Sequence, residues 1–127
     1  MKIRIKGHSI RFRLSKTEVH SLCKKGAVWS ETAFGQGKPV FRYGLVVSSS
    51  AEQMHATFGQ SSICIYIPQS SVVNWESNEQ VGFEHLQKND PAMGLHLLVE
   101  KDFQCTIERV GEEEGDLYEN PQAKLKK

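Results

Sequence analysis

The sequence predicts an α+β fold, an antiparallel, strongly curved or barrel-like sheet of about six or seven strands with one packed N-terminal helix. Three observations carry this. Apolar and polar residues alternate with period two in segments along the chain, the mark of half-buried strands. Gly-bearing breaks separate many of these segments, which favours hairpins. Helical spacing stands out at one place only, residues 15–25.

Two alternating segments open the chain. In residues 2–6, Ile3 and Ile5 alternate with Lys2, Arg4 and Lys6; in residues 9–14, Ile10, Phe12 and Leu14 alternate with Arg11 and Arg13. Gly7-His8 suits the turn between them, because Gly takes positive φ without steric penalty. The resulting hairpin has one apolar face and one basic face. In the helix that follows, Ser15 is placed to cap and Glu18 to close a capping box. Val19, Leu22 and Cys23 share a face, Lys24 and Lys25 suit the negative end of the helix dipole, and Gly26 ends the helix.

Residues 28–34 and 40–47 read as a second hairpin around Gly35-Gln36-Gly37-Lys38-Pro39. Phe41, Tyr43, Leu45 and Val47 fall on one side of its second strand. That side fits either a central strand or an interface, and a two-fold homodimer is the default form of the latter. Residues 53–58 suggest a short strand, and residues 62–67 a firm one through Ile63, Ile65 and Ile67, stopped by Pro68. Residues 69–75 fit one helical turn with Val72 and Trp75 inward, with a second helix within 69–87 as the main competitor. Asn89-Asp90-Pro91 reads as a loop. Residues 95–101 form the last strong strand, continued through 103–108 past a bulge near Asp102. The organisation expected is one globular domain over residues 1–110 and a mobile acidic/basic tail over 111–127.

At 127 residues and 39% hydrophobic content the chain can build one core without disulfides or metal. A net charge of +1 argues against a dedicated nucleic-acid clamp. The charge is nevertheless uneven. Residues 1–25 carry eight Lys and Arg against one acid, Glu18, whereas residues 108–119 carry six acids against Arg109. No apolar run approaches the ~20 residues of a membrane span, so no membrane partner is expected. The opening Met-Lys-Ile-Arg-Ile-Lys lacks the apolar core of a signal peptide. Cys23, Cys64 and Cys105 are odd in number and dispersed, which points to a reducing, cytoplasmic setting.

Chemistry-bearing motifs are sparse. The five His are dispersed and no Cys-x-x-Cys occurs, so neither metal nor cofactor is expected. There is no Gly-x-Ser-x-Gly elbow and no phosphate-binding Gly-x-x-x-x-Gly-Lys loop. The cysteines read as small buried hydrophobes. The basic hairpin face, Lys2, Arg4, Lys6, Arg11 and Arg13, is the ligand-binding candidate. Like charges on adjacent strands repel. Water and salt, a neighbouring strand bearing Glu31, Glu100 or Glu108, or a small anionic, phosphate-bearing ligand would offset that repulsion. Glu100 and Asp102, two residues apart, are the weaker candidates for acid/base chemistry or for holding a divalent ion. The competing reading pairs Glu100 with the basic hairpin and gives Asp102 a turn contact.

Three stretches taken together carry a resemblance: Met1-Lys2-Ile3-Arg4-Ile5-Lys6-Gly7 running on through Ser9-Ile10-Arg11-Phe12-Arg13-Leu14, then Leu98-Val99-Glu100-Lys101-Asp102-Phe103 with Cys105, then an acidic tail ending Asn120-Pro121. In these the chain resembles a family of small uncharacterised bacterial proteins. The resemblance implies a stand-alone bacterial cytoplasmic domain and brings no activity or catalytic residue with it. Where that family's pattern has Phe-Pro-Asn-Pro, this chain reads Tyr118-Glu119-Asn120-Pro121. The basic strand also invites comparison with triphosphate-tunnel enzymes, but their opening Glu-x-Glu-x-Lys is replaced by Lys2-x-Arg4-x-Lys6, and membership is rejected.

Overall fold

The chain's computed structural model describes residues 1–103, which hold eight strands and two helices. Strands β1 (Lys2–Ile5) and β2 (Ser9–Leu14) pair antiparallel, with Ile3 opposite Phe12 and Arg4 opposite Arg11. Gly7, at φ 54°, makes the turn, and the Lys6 N–H donates to the Ser9 carbonyl at 3.0 Å. Helix α1 (Lys16–Lys25) starts where the sequence places it. The Glu18 N–H donates to Ser15 Oγ, and the Ser15 N–H donates back to the Glu18 carboxylate at 2.8 Å. It ends on Gly26 at φ 82°, whose N–H donates to the Leu22 carbonyl.

Strands β3 (Ala27–Ala33) and β4 (Val40–Ser48) form the second hairpin, and β5 (His55–Gly59) and β6 (Ser62–Pro68) the third. Helix α2 is a single turn, Gln69–Val72. Strands β7 (Gly82–Asp90) and β8 (Met93–Lys101) form the last hairpin. No helix among the described residues is long and apolar enough to cross a membrane.

The eight strands divide into two four-stranded sheets of the same plan, β1-β2-β8-β7 and β3-β4-β6-β5. In each, two antiparallel hairpins lie side by side, joined through a parallel inner pair: β2 with β8 in the first, β4 with β6 in the second. This corrects the expected architecture. The strands do not form one antiparallel, barrel-like sheet of six or seven members with a single helix; there are two mixed sheets, neither closed, and two helices. The cause lies in the connections. Helix α1 carries the chain away after β2, so β3 opens a new sheet, and the exposed side of β2 is taken by β8 from the far end of the described chain. Alternation fixes which side chains point inward but says nothing about which strand lies alongside.

The helical turn expected within 69–75 is α2, and the competing longer helix within 69–87 does not form, since residues 82–90 are strand. The expected loop at Asn89-Asp90-Pro91 moves on by about one residue: β7 runs through Asp90, whose carboxylate accepts the Ala92 N–H at 2.8 Å. The expected continuation over 103–108, and the tail 111–127, lie outside the described residues.

Both sheets and both helices contribute to one core. Phe12 and Leu14 of β2, Leu45 of β4, Ile65 of β6 and Val99 of β8 are almost fully buried in a single cluster. Each such side chain contributes roughly 1.5–3 kcal/mol on leaving water. Phe12 meets Tyr43 edge-on across the sheets at 5.9 Å between ring centroids, and the Tyr43 hydroxyl donates to the Met1 carbonyl. Trp75, after α2, is fully buried; its indole N–H donates to the Gln80 carbonyl at 2.9 Å and its ring lies 4.9 Å from Phe83 of β7. Where edge strands β5 and β7 come together, Gln87 accepts the Ala56 N–H at 2.6 Å and donates to the Ala56 carbonyl at 3.2 Å. The apolar side of β4 is accounted for by its place between β3 and β6, facing this core.

Candidate functional site

With Ile3, Ile10, Phe12 and Leu14 turned inward, the opposite parity of β1 and β2 places Lys2, Arg4, Arg11 and Arg13 on the outer face of the first sheet. Lys2 stands opposite Arg13 and Arg4 opposite Arg11, so like charges meet directly across the ladder. Lys6 is exposed at the hairpin turn that follows β1. The repulsion this creates is met in part by the neighbouring strand. Because β8 runs parallel to β2, Glu100 lies opposite Arg13 and one step from Arg11. Its Oε1 accepts from Arg11 Nε at 2.6 Å and lies 3.8 Å from Arg13 Nε. Asp102 holds Lys2 at 2.8 Å. Further along the face, His96 meets Glu84 of β7 at 2.6 Å.

Of the three acids the sequence offers as partners for the basic strands, Glu100 is the one the register delivers. Glu31 sits in the other sheet, 3.9 Å from Arg42, and Glu108 lies outside the described residues. Glu100 and Asp102, the candidate acid/base or divalent-ion pair, lie on the same sheet face as the cations and are both engaged by them, about four-fifths shielded from solvent. Among the described residues no three His, Cys, Asp or Glu side chains converge on a common point. The arrangement therefore presents guanidinium and ammonium groups from two adjacent strands, at ~7 Å steps along each strand, with the carboxylates of Glu100 and Asp102 along one flank.

The two described cysteines are unpaired. Burial pushes both thiols up, so each stays protonated. Cys23 donates to the Val72 carbonyl at 3.6 Å, and Cys64 sits beneath the outer surface of the second sheet. Cys105 lies outside the described residues.

Two features escaped the sequence reading. One is a half-open cleft of about 640 Å³ between the C-terminal turn of α1 and the segment after α2, with Leu22, Val47 and Val72 in its floor and Lys24, Asn74 and Glu76 on its rim. Its only advance signs were the Gly26 stop and the polar run after Pro68. The other is the outer face of the second sheet. There the Trp29 ring lies across Gly44, the Arg42 guanidinium sits 4.6 Å from the ring centroid, and His55 stacks on Tyr66 at 5.0 Å. Gly44 in the middle of an alternating strand was the available signal, since a strand glycine often marks a close approach.

A family model described as a family of unknown function, DUF7009, matches residues 1–122. No curated protein and no solved structure matches the chain.

Proposed function

We propose, on the premise that the chain belongs to this family of unknown function, that it is a small binding module whose basic sheet face captures an anionic, phosphate-bearing ligand. One observation carries the reading. On one face, Lys2, Arg4, Arg11 and Arg13, with Lys6 at the adjoining turn, stand against two neighbouring carboxylates, Glu100 and Asp102. A phosphate-bearing ligand would compete with these carboxylates for the guanidinium and ammonium groups, and its several charges on one group favour the exchange. Arg4, Arg11 and Arg13 supply planar donors suited to phosphate oxygens, and Lys2 and Lys6 strengthen the field. Binding is favoured over catalysis because both candidate carboxylates already hold cations. The same reading takes the chain to be a bacterial cytoplasmic domain, which the unpaired Cys23 and Cys64 suit.

The test is thermal-shift and calorimetric titration with pyrophosphate, tripolyphosphate and nucleotides at low salt. Tripolyphosphate should raise the melting temperature, and the effect should fade toward ~1 M salt as the Debye length shrinks to about 3 Å. Lys6→Ser with Arg4→Ser should weaken binding roughly tenfold or more, while Glu100→Gln should tighten it a few-fold by removing a built-in competitor. Absence of any shift across the panel at low salt removes the proposal.

A further inference from the structure

We infer that the cleft between the end of α1 and the segment after α2 is a second binding site, for a small amphipathic carboxylate: an apolar body with one anionic head. This goes beyond the binding reading and does not rest on it. The cleft is lined from within residues 22–26 and 69–77 and by Val47, and by none of the strands that carry the basic face.

Size and floor set the body. At about 640 Å³ the cleft falls among small-molecule sites, which run to roughly 300–1,000 Å³. Its floor is aliphatic, made by Leu22 of α1, Val47 of β4 and Val72 of α2. Val73 carries this surface outward and is 60% exposed, so apolar area at the edge faces water. Covering that area favours an apolar occupant.

Hydrogen-bonding groups set the head. Backbone acceptors around the cleft are engaged. The Leu22 carbonyl accepts the Gly26 N–H, and the Gly26 carbonyl accepts the Val47 N–H at 2.8 Å. The Val72 carbonyl accepts the Trp75 N–H at 3.1 Å and the Cys23 thiol. Asn74, in the left-handed region at φ 64°, turns its carbonyl to the Ser77 and Asn78 N–H groups. Side-chain donors stand otherwise. Among the described residues, the ammonium groups of Lys24 and Lys25 and the amides of Gln69 and Asn74 enter no hydrogen bond or ion pair. Glu76, the one acid in the lining, is held by the His20 ring. Open donors call for an acceptor, and two ammonium groups call for a negative one. A carboxylate answers both with two oxygens. The aliphatic floor turns away polyphosphates, which have no apolar body to lay on it and would lose hydration there.

The test is titration of the full chain with octanoate, followed through backbone amide shifts. The controls are octanol and octylamine, which share the body, and acetate, which shares the head. Octanoate should move the amides of Gly26, Val47 and residues 72–74 in a saturable way. Octanol should bind the same residues about three- to tenfold more weakly, octylamine more weakly again, and acetate should leave them unmoved. In the chain carrying Lys24→Gln and Lys25→Gln, octanoate should weaken by about the same three- to tenfold while octanol is unchanged. Both lysines are exposed, and the amides of β1, β2, β7 and β8, unmoved by the substitutions, verify the fold. Saturating tripolyphosphate should leave octanoate affinity unaltered, whether or not it binds the basic face. No saturable movement at the cleft amides, or movement at exposed Phe58 and Val81 in its place, removes the site. Octanol or octylamine binding as tightly as octanoate, or an unchanged octanoate affinity in the double variant, removes the carboxylate head. Competition by tripolyphosphate overturns the independence of the two sites.

Discussion

The two sheets share one strand order and one core, yet their outer faces differ in character. The first, split between residues 2–14 and 82–101, shows the solvent a ladder of cations and carboxylates. The second, running unbroken through residues 27–68, shows a tryptophan laid over a glycine, an arginine above the ring and a stacked histidine–tyrosine pair. The inward halves are interchangeable in kind, being Ile, Leu, Val and Phe. The comparison teaches that the shared plan is a scaffold requirement and that whatever distinguishes this protein is written on the outward parity of each strand. It also separates two ways of finishing a sheet surface. The second sheet closes its face with ring contacts that satisfy themselves. The first closes its face with ion pairs made between neighbouring strands.

The harshest test of this comparison is whether the sheets stand or fall together. Phe12 of β2 and Ile65 of β6 are both completely buried in the common cluster. Phe12→Ala should cost about 3–5 kcal/mol and Ile65→Ala about 2–5 kcal/mol. Each should lower one and the same denaturation transition, followed through the fluorescence of buried Trp75 and of Trp29 on the second sheet. Separate transitions for the two tryptophans would mean two independent sheets and would break the comparison.

Next in size is the contrast between the faces. A Cβ at Gly44 would lie 2.4 Å from two atoms of the Trp29 ring and 2.7 Å from the Val28 carbonyl oxygen. Gly44→Ala should therefore cost about 1–3 kcal/mol from overpacking. Adding Trp29→Ala should recover part of the loss but not all, because the Val28 carbonyl stays in the way. Full tolerance of Gly44→Ala in urea unfolding would show that the ring does not seal the face.

The smallest effect concerns α1, the connection between the sheets. Burial alone would raise the Glu18 carboxyl, but hydrogen bonds from the Met1 ammonium and the Ser15 N–H outweigh it and hold it below the usual carboxylate range. A carboxyl lowered in the folded state stabilises above its unfolded pKa, and that stabilisation disappears as pH falls through the folded value. The difference in melting temperature between the unmodified chain and Glu18→Gln should be present at neutral pH and should close as the solution is acidified below pH ~4. A difference that stays constant down to strong acid would show that the capping box does not depend on the ionised carboxylate.

Local features were legible in the sequence because they are encoded within a few residues. The β1–β2 alternation, the capping box at Ser15 and Glu18, the Gly26 stop and the inward Val72 and Trp75 all appear where neighbouring residues place them. The sheet plan was not legible because the decisive pairings, β2 with β8 and β4 with β6, are made between strands that no turn connects. The same limit applied to the site. The five cations were readable from alternation, but the choice of Glu100 over Glu31 follows from a parallel register in which Arg13 meets Glu100, and nothing near Arg13 announces it. Asp90 misled for a different reason: its turn-forming carboxylate acts from the last position of a strand.

Gln87 has a consequence outside stability and binding. Its amide meets the N–H and the carbonyl of Ala56 together, as the backbone of one more strand residue would. Strand β5 carries no charged residue other than the titratable His55, and it exposes Phe58, so its free side is the kind of template on which other chains stack into fibrils. One side chain from β7 pairs with the second residue of that edge. Gln87→Ala should uncover this edge, and light scattering that shows no more self-association of the variant than of the unmodified chain at high concentration would mean that the side chain does not cap it.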